Sequence, residues 1–187
     1  MIFAHGSGSS RFSTRNREVA DALNQAGMAT LLFDLLHPAE ESVRNRANVF
    51  DIALLAERLL DAVAWAGRGP ATGLPLGFFG ASTGAAAALV AAAELGNKVS
   101  AVVSRGGRPD LAGAALARVT APTLLIVGGN DREVLDLNRL AARQLKAVSS
   151  LEIIPGATHL FPEPGAMEGV MVLARSWFER YLKENFH

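Results

Sequence analysis

The sequence predicts an α/β fold in three layers: a mostly parallel sheet of about six strands, with helices on both faces. Three observations carry this. Short apolar runs of strand length alternate with longer helical stretches along the whole chain of 187 residues, the pattern of a layered parallel sheet. The strand-like runs, such as Ala29–Leu35, are nearly continuous in apolar residues, as suits strands covered on both sides. Polar or glycine-rich loops follow the strands, and open α/β sheets bind ligands at those ends.

Composition bounds the answer. The length is that of one ordinary domain, so residues 1–187 are read as a single domain with no internal repeat or composition break. Half the residues are hydrophobic, enough for a sizeable core. Lys+Arg and Asp+Glu each number 18. That balance argues against nucleic acid as the main partner, since neutralising phosphates needs a net basic face. There are no cysteines, which excludes disulfides, thiol catalysis and cysteine-ligated metal. No basic segment and long apolar stretch mark a signal peptide after Met1, so a soluble cytoplasmic protein is expected.

Met1–Ala4 is the first strand, shorter than the roughly five residues usual for a buried one. Either the strand is unusually short or the numbered chain begins inside a longer product. The loop His5-Gly6-Ser7-Gly8-Ser9-Ser10 follows. A helix comes next, capped by Ser13 or Thr14, with an apolar stripe of Val19, Ala22, Leu23 and Ala26 and a terminating Gly27. Ala29–Leu35 is the second strand, broken at His37-Pro38. Glu40–Asn48 is a charged connection, and Val49–Ala66 reads as a long helix with Ile52, Leu55, Leu59, Ala62 and Val63 inward. After the loop Gly67–Pro75, Leu76–Phe79 is a strand and Ala85–Ala93 a helix built largely from alanine, the best helix former.

Lys98–Ser104 is the next strand, followed by the loop Arg105–Asp110 and a short helix near Leu111–Ala117. Pro122–Val127 is a strand, Gly128–Asp131 a loop, and Val134–Lys146 a helix. Leu151–Ile154 is the last strand, leading through Pro155–His159 to a helix over Gly165–Lys183. Met167, Val170, Leu173, Trp177 and Leu182 are its core candidates.

Gly80-Ala81-Ser82-Thr83-Gly84 sits between a buried strand and the alanine helix. A strand that turns into a helix in so few residues is strained, and the two glycines let strand and helix approach. The turn lifts the Ser82 hydroxyl off the sheet beside a helix N-terminus, the arrangement of a nucleophile elbow. Two blander readings fit less well. Arg68 and Glu94 bracket a stretch without charge, but Pro75 and five glycines interrupt it, so it is no membrane span. A phosphate loop would require a Gly-Lys-Ser/Thr ending or G-x-G-x-x-G, and neither is there.

Ser82 needs a base, and the base needs an orienting acid. Of four histidines, His159 follows the last strand, where it could reach the elbow. His5 lies in the first loop, His37 beside Pro38, and His187 is the last residue. Asp131 follows a strand and precedes a helix, so it is either the acid or a helix N-cap, or both. Glu133 and Asp136 are its competitors. The backbone N–H of Thr83, directly after the nucleophile, is an oxyanion donor. The second donor is expected in the first loop, at Ser7 or next Gly8, unless that loop is only a flexible turn.

With these pieces named, the chain resembles the α/β-hydrolases, and more closely the dienelactone-hydrolase-like group. The matching segments are His5–Gly8, Gly80–Gly84, Gly129–Asp131 and Gly156–His159. The resemblance implies a triad of Ser82, Asp131 and His159, an oxyanion hole of Ser7 and Thr83, and hydrolysis through an acyl-enzyme with no metal or organic cofactor. Two departures stand out. Two strands that normally precede the one at Met1 are absent, and dienelactone hydrolases proper use a cysteine nucleophile. A serine esterase for small or short-chain acyl esters, without a lid, is therefore expected rather than a dienelactone hydrolase.

Without the two strands, Ala29–Leu35 would lie at a sheet edge, an association hazard. A homodimer covering that edge is the expected partner arrangement. Arginine supplies 15 of the 18 basic residues. Arg105 and Arg108 could bind an anionic substrate, with Arg11, Arg15 and Arg17 nearby. The plainer reading is solvated surface arginine, or a structural pair such as Arg108 with Asp110. Two other functions share these features: a non-catalytic binding or scaffolding member of the fold, and peptide cleavage, thioester cleavage or acyl transfer on the same triad.

Overall fold

The computed structural model describes residues 1–41, 43–69 and 71–183. Ser42 of the charged connection, Pro70 of the loop before the third strand, and His187 lie outside the described residues. Six strands form one sheet: β1 (Ile2–Ala4), β2 (Leu31–Leu32), β3 (Leu76–Ala81), β4 (Val99–Arg105), β5 (Thr123–Gly128) and β6 (Ser149–Ile154). Their order is β2-β1-β3-β4-β5-β6, and every pair is parallel. The helices are α1 (Thr14–Gln25), α2 (Ile52–Ala66), α3 (Thr83–Leu95), α4 (Arg132–Ala142) and α5 (Ala166–Lys183).

The sheet separates two cores. On one face α2, α3 and α4 bury Leu55, Leu59, Leu89 and Ala141 against Phe78, Val102 and Leu125. On the other, α1 and α5 bury Val19, Leu23, Val170 and Phe178 against Phe3, Phe79, Val103 and Ile126. Neighbours such as Phe78 and Phe79 serve opposite cores because side chains alternate along a strand. This is why the central strands read as unbroken apolar runs.

The alanine helix α3 lies closest to the sheet. Ala85–Ala88, Ala91 and Ala92 are fully buried. At its first turn a Cβ on Gly84 would stand 2.1 Å from the Ala4 carbonyl oxygen and 2.5 Å from that of His5. Both obstacles are backbone and cannot swing aside. Gly→Ala inside a helix normally gains about 1 kcal/mol; here the sign reverses. Gly84→Ala should destabilise the protein by about 3 kcal/mol or more, read as a lower midpoint in urea unfolding. A variant as stable as the parent would refute this close approach.

Several boundaries differ from expectation. Of Ala29–Leu35, only Leu31 and Leu32 join the sheet, against Ile2 and Phe3. The partner limits it: β1 has three residues and then turns into its loop, so a ladder along it can hold three rungs at most. Residues 43–50 form a 3₁₀ segment, and α2 starts at Ile52, where Asp51 caps the helix through the Leu54 N–H at 3.0 Å. The short helix near Leu111–Ala117 is 3₁₀ over Pro109–Arg118, kinked at Gly113 with φ 53°. Arg105 ends β4 rather than opening a loop. β2 does lie at the sheet edge, bonded to β1 alone among the described residues.

Candidate active site

Ser82 joins β3 to α3 at φ 50°, ψ −125°, a conformation that non-glycine residues rarely adopt. The tight packing around it fixes this turn. A Cβ on Gly80 would lie 2.4 Å from the Ala85 Cα, and one on Gly6 would lie 2.8 Å from the Ser82 Cβ. The Ser82 carbonyl accepts the Arg108 N–H at 3.0 Å. Its hydroxyl does not cap α3 and stays half-buried at the strand end.

The first loop packs directly on this elbow. His5 is buried, its Nδ1 is 2.9 Å from the Gly6 carbonyl, and its Nε2 accepts the Leu35 N–H at 3.0 Å. A ring nitrogen that accepts an N–H carries no proton, so His5 is neutral with Nδ1 donating to Gly6. The ring ties the loop to the segment after β2. The Ser7 N–H donates to Thr83 Oγ1 at 3.2 Å. The Thr83 N–H is the first of α3, where no intrahelical acceptor exists. Ser7 is exposed and Thr83 buried.

Asp131 and His159 come together 28 residues apart, with His159 Nδ1 2.6 Å from Asp131 Oδ2. A carboxylate only accepts, so Nδ1 donates, which leaves Nε2 as the nitrogen that can exchange a proton. Two loops are stitched to make this contact. The Gly129 N–H donates to Ile154 and the Asn130 N–H to Ala157, each at 2.9 Å. Asn130 Nδ2 adds a bond to Gly156 O at 2.9 Å. Asp131 occupies the N-cap position of α4, yet its side chain makes no cap hydrogen bond and turns to the histidine. The competing acids are elsewhere: Asp136 pairs with Arg139 at 2.9 Å, and Glu133 is exposed.

Residues Gly106–Arg108 lie between the two halves. A Cβ on Gly106 would stand 3.7 Å from His159 Cε1, while Arg108 bonds the Ser82 carbonyl. Among the described residues, no hydrogen bond joins Ser82 Oγ to the imidazole. Contacts of this kind often tighten only when substrate is bound.

The two arginines separate. Arg108 makes a two-pronged bond to Asp110 at 2.9 and 2.8 Å, which raises its pKa above the usual arginine value. Its fork is thus occupied. Arg105 is 6% exposed, a buried side chain where an accessible one was expected. Three supporting residues escaped the sequence reading. Asn138 is fully buried, and its Nδ2 donates to the Gly107 and Val134 carbonyls at 3.0 and 2.7 Å. Asn16 accepts from Arg105 at 3.2 Å. Glu163 accepts from the Thr158 N–H and hydroxyl at 3.1 and 2.6 Å, shaping the histidine loop. Both asparagines sit within apolar helix stripes, and that misplacement was a readable signal.

A sequence model of the alpha/beta hydrolase domain matches residues 1–171. Proteins from two Mycobacterium tuberculosis strains, provisionally named phosphoribosyl transferase, are 62% identical over 183 residues. That alignment covers 97% of this chain but 41% of each relative, so the chain spans about two fifths of the length of the curated relatives it matches. Among solved structures, a dienelactone hydrolase from Anabaena variabilis is 59% identical with a TM-score of 0.93, over 97% of this chain and 85% of that one. Est1E from Butyrivibrio proteoclasticus has a TM-score of 0.80 at 17% identity, over 97% and 87%, and shares the fold.

Proposed function

We propose that this chain, which belongs to the α/β-hydrolase family, is a serine carboxylic ester hydrolase for small or short-chain acyl esters. The observation that carries the reading is the His159–Asp131 contact at 2.6 Å, linked through Gly106–Arg108 to a serine held at φ 50°. Ser82 Oγ attacks the ester carbonyl carbon and its proton passes to His159 Nε2. Asp131 holds the imidazolium. The Ser7 and Thr83 N–H groups take the oxyanion, with the long Ser7–Thr83 Oγ1 bond giving way to the stronger charged acceptor. As the intermediate collapses, the ester C–O bond breaks and His159 Nε2 gives its proton to the departing alcohol oxygen, leaving Ser82 acylated. Water, giving a proton to His159, then attacks the acyl carbon, and the carboxylic acid leaves as that proton returns to Ser82 Oγ. Reaction of Ser82 with a fluorophosphonate probe tests this, because a binding or scaffolding protein would not react.

The relatives' name belongs to proteins of which this chain covers 41%, and phosphoribosyl transfer is not carried over to it. The partners of this reading are a small ester and a second copy of the chain, paired along the free edge of β2. Light scattering should then give a dimer mass, and a monodisperse monomer would refute the pairing.

A further inference from the structure

Of the five arginines near the site rim, Arg11 pairs with Asp34 and Arg108 with Asp110, while Arg17 is exposed on α1. Arg15 and Arg105 differ. Neither forms an ion pair among the described residues. The Arg105 guanidinium lies 5.9 Å from the Phe161 ring centroid and donates from Nη2 to Asn16. Its Nε is sealed from solvent without an acceptor, and so is the Nε of Arg15.

A buried guanidinium without counter-charge is costly. Burial, and then the neighbouring Arg15 charge, pull the Arg105 pKa down to about 10, so it remains a cation at neutral pH. Glu163, the acid two residues after Phe161, gives one oxygen to Thr158, while its other oxygen is sealed without a partner and pairs with neither arginine. The first turn of α1 contains no acid, and a helix N-terminus itself attracts anions. Arg105 and Arg15 therefore bring two positive charges to the first turn of α1, and neither is in an ion pair among the described residues. Arg105 is the register partner of Ala81, the residue before Ser82, and adjacent strands lie about 4.8 Å apart.

We propose that Arg105 and Arg15, with the N-terminus of α1, form a subsite for a phosphate group on the ester substrate. The inference rests on the serine-esterase reading and names its substrate class: an ester bearing a phosphate monoester a few atoms from the scissile bond. Phosphate suits the site better than carboxylate. It brings nearly two negative charges and three acceptor oxygens, whereas a carboxylate leaves one cation unmatched.

The test compares kcat/KM for 2-(butanoyloxy)ethyl phosphate, uncharged 2-hydroxyethyl butanoate and 3-(butanoyloxy)propanoate. The phosphate ester should be preferred by about 10-fold to 100-fold, the range of charged hydrogen bonds. That preference should fall by about 10-fold in Arg105→Met and in Arg15→Met, mainly through KM. Arg15 is partly exposed, so its variant keeps the test decisive if Arg105→Met fails to fold. Equal turnover of the three esters, a preference for the carboxylate, or a phosphate preference untouched by both substitutions would overturn the subsite. p-Nitrophenyl butanoate separates the two readings. If it is cleaved in a Ser82-dependent way without any phosphate preference, only the subsite falls; if it is not cleaved, the esterase reading falls.

Discussion

Ser82→Ala should lower turnover of a p-nitrophenyl short-chain ester by about 10⁴-fold or more. The expectation comes from the isolation of the hydroxyl: it caps no helix, and an oxygen that supports no fold contact is free to react. Alanine retains the Cβ that packs near Gly6, so the backbone turn and the stability should survive. The loss is then chemical, and it should appear in kcat with unfolding unchanged. Turnover equal to the parent's would reject Ser82 as nucleophile.

Asp131→Asn should lower kcat by about 10³-fold to 10⁴-fold on the same ester. The carboxylate accepts the Nδ1 proton of His159 and so fixes the tautomer. An asparagine can turn its NH₂ toward Nδ1, which moves the ring proton to Nε2. That nitrogen can then no longer take the serine proton. Asparagine is as good an N-cap residue as aspartate, so α4 should remain intact. Asp136→Asn, which loses only an exposed pair with Arg139, is the control and should leave kcat within about two-fold, as exposed ion pairs contribute little. Comparable losses in both variants would mean that Asp131 is not the acid.

Much of the layout was legible because it depends on period and punctuation. Apolar runs marked the central strands, and Gly80–Gly84 marked the tight turn between β3 and α3. What escaped depends on contacts between distant segments. The length of β2 is limited by β1, whose three residues cap any pairing, and nothing in Ala29–Leu35 encodes that. The burial of Arg105 follows from α1 and the loop at Phe161 closing over it, while the loop sequence around it is polar. Arg108 was open to two readings, and only geometry shows its fork closed on Asp110. The role of His5 was hidden because its partner, the Leu35 N–H, lies 30 residues away.

The stitched loops after β5 and β6 have one more implication. Residues 131 and 159 travel as a single prefabricated cassette, clasped by their own cross-links, whereas residue 82 stands on a different strand and meets that cassette only through the Gly106–Arg108 segment among the described contacts. On the proposed esterase reading, proton relay and attacking atom are therefore modular. A lineage can exchange oxygen for sulfur at the elbow without rebuilding the relay, and the scaffold can diversify its chemistry one component at a time.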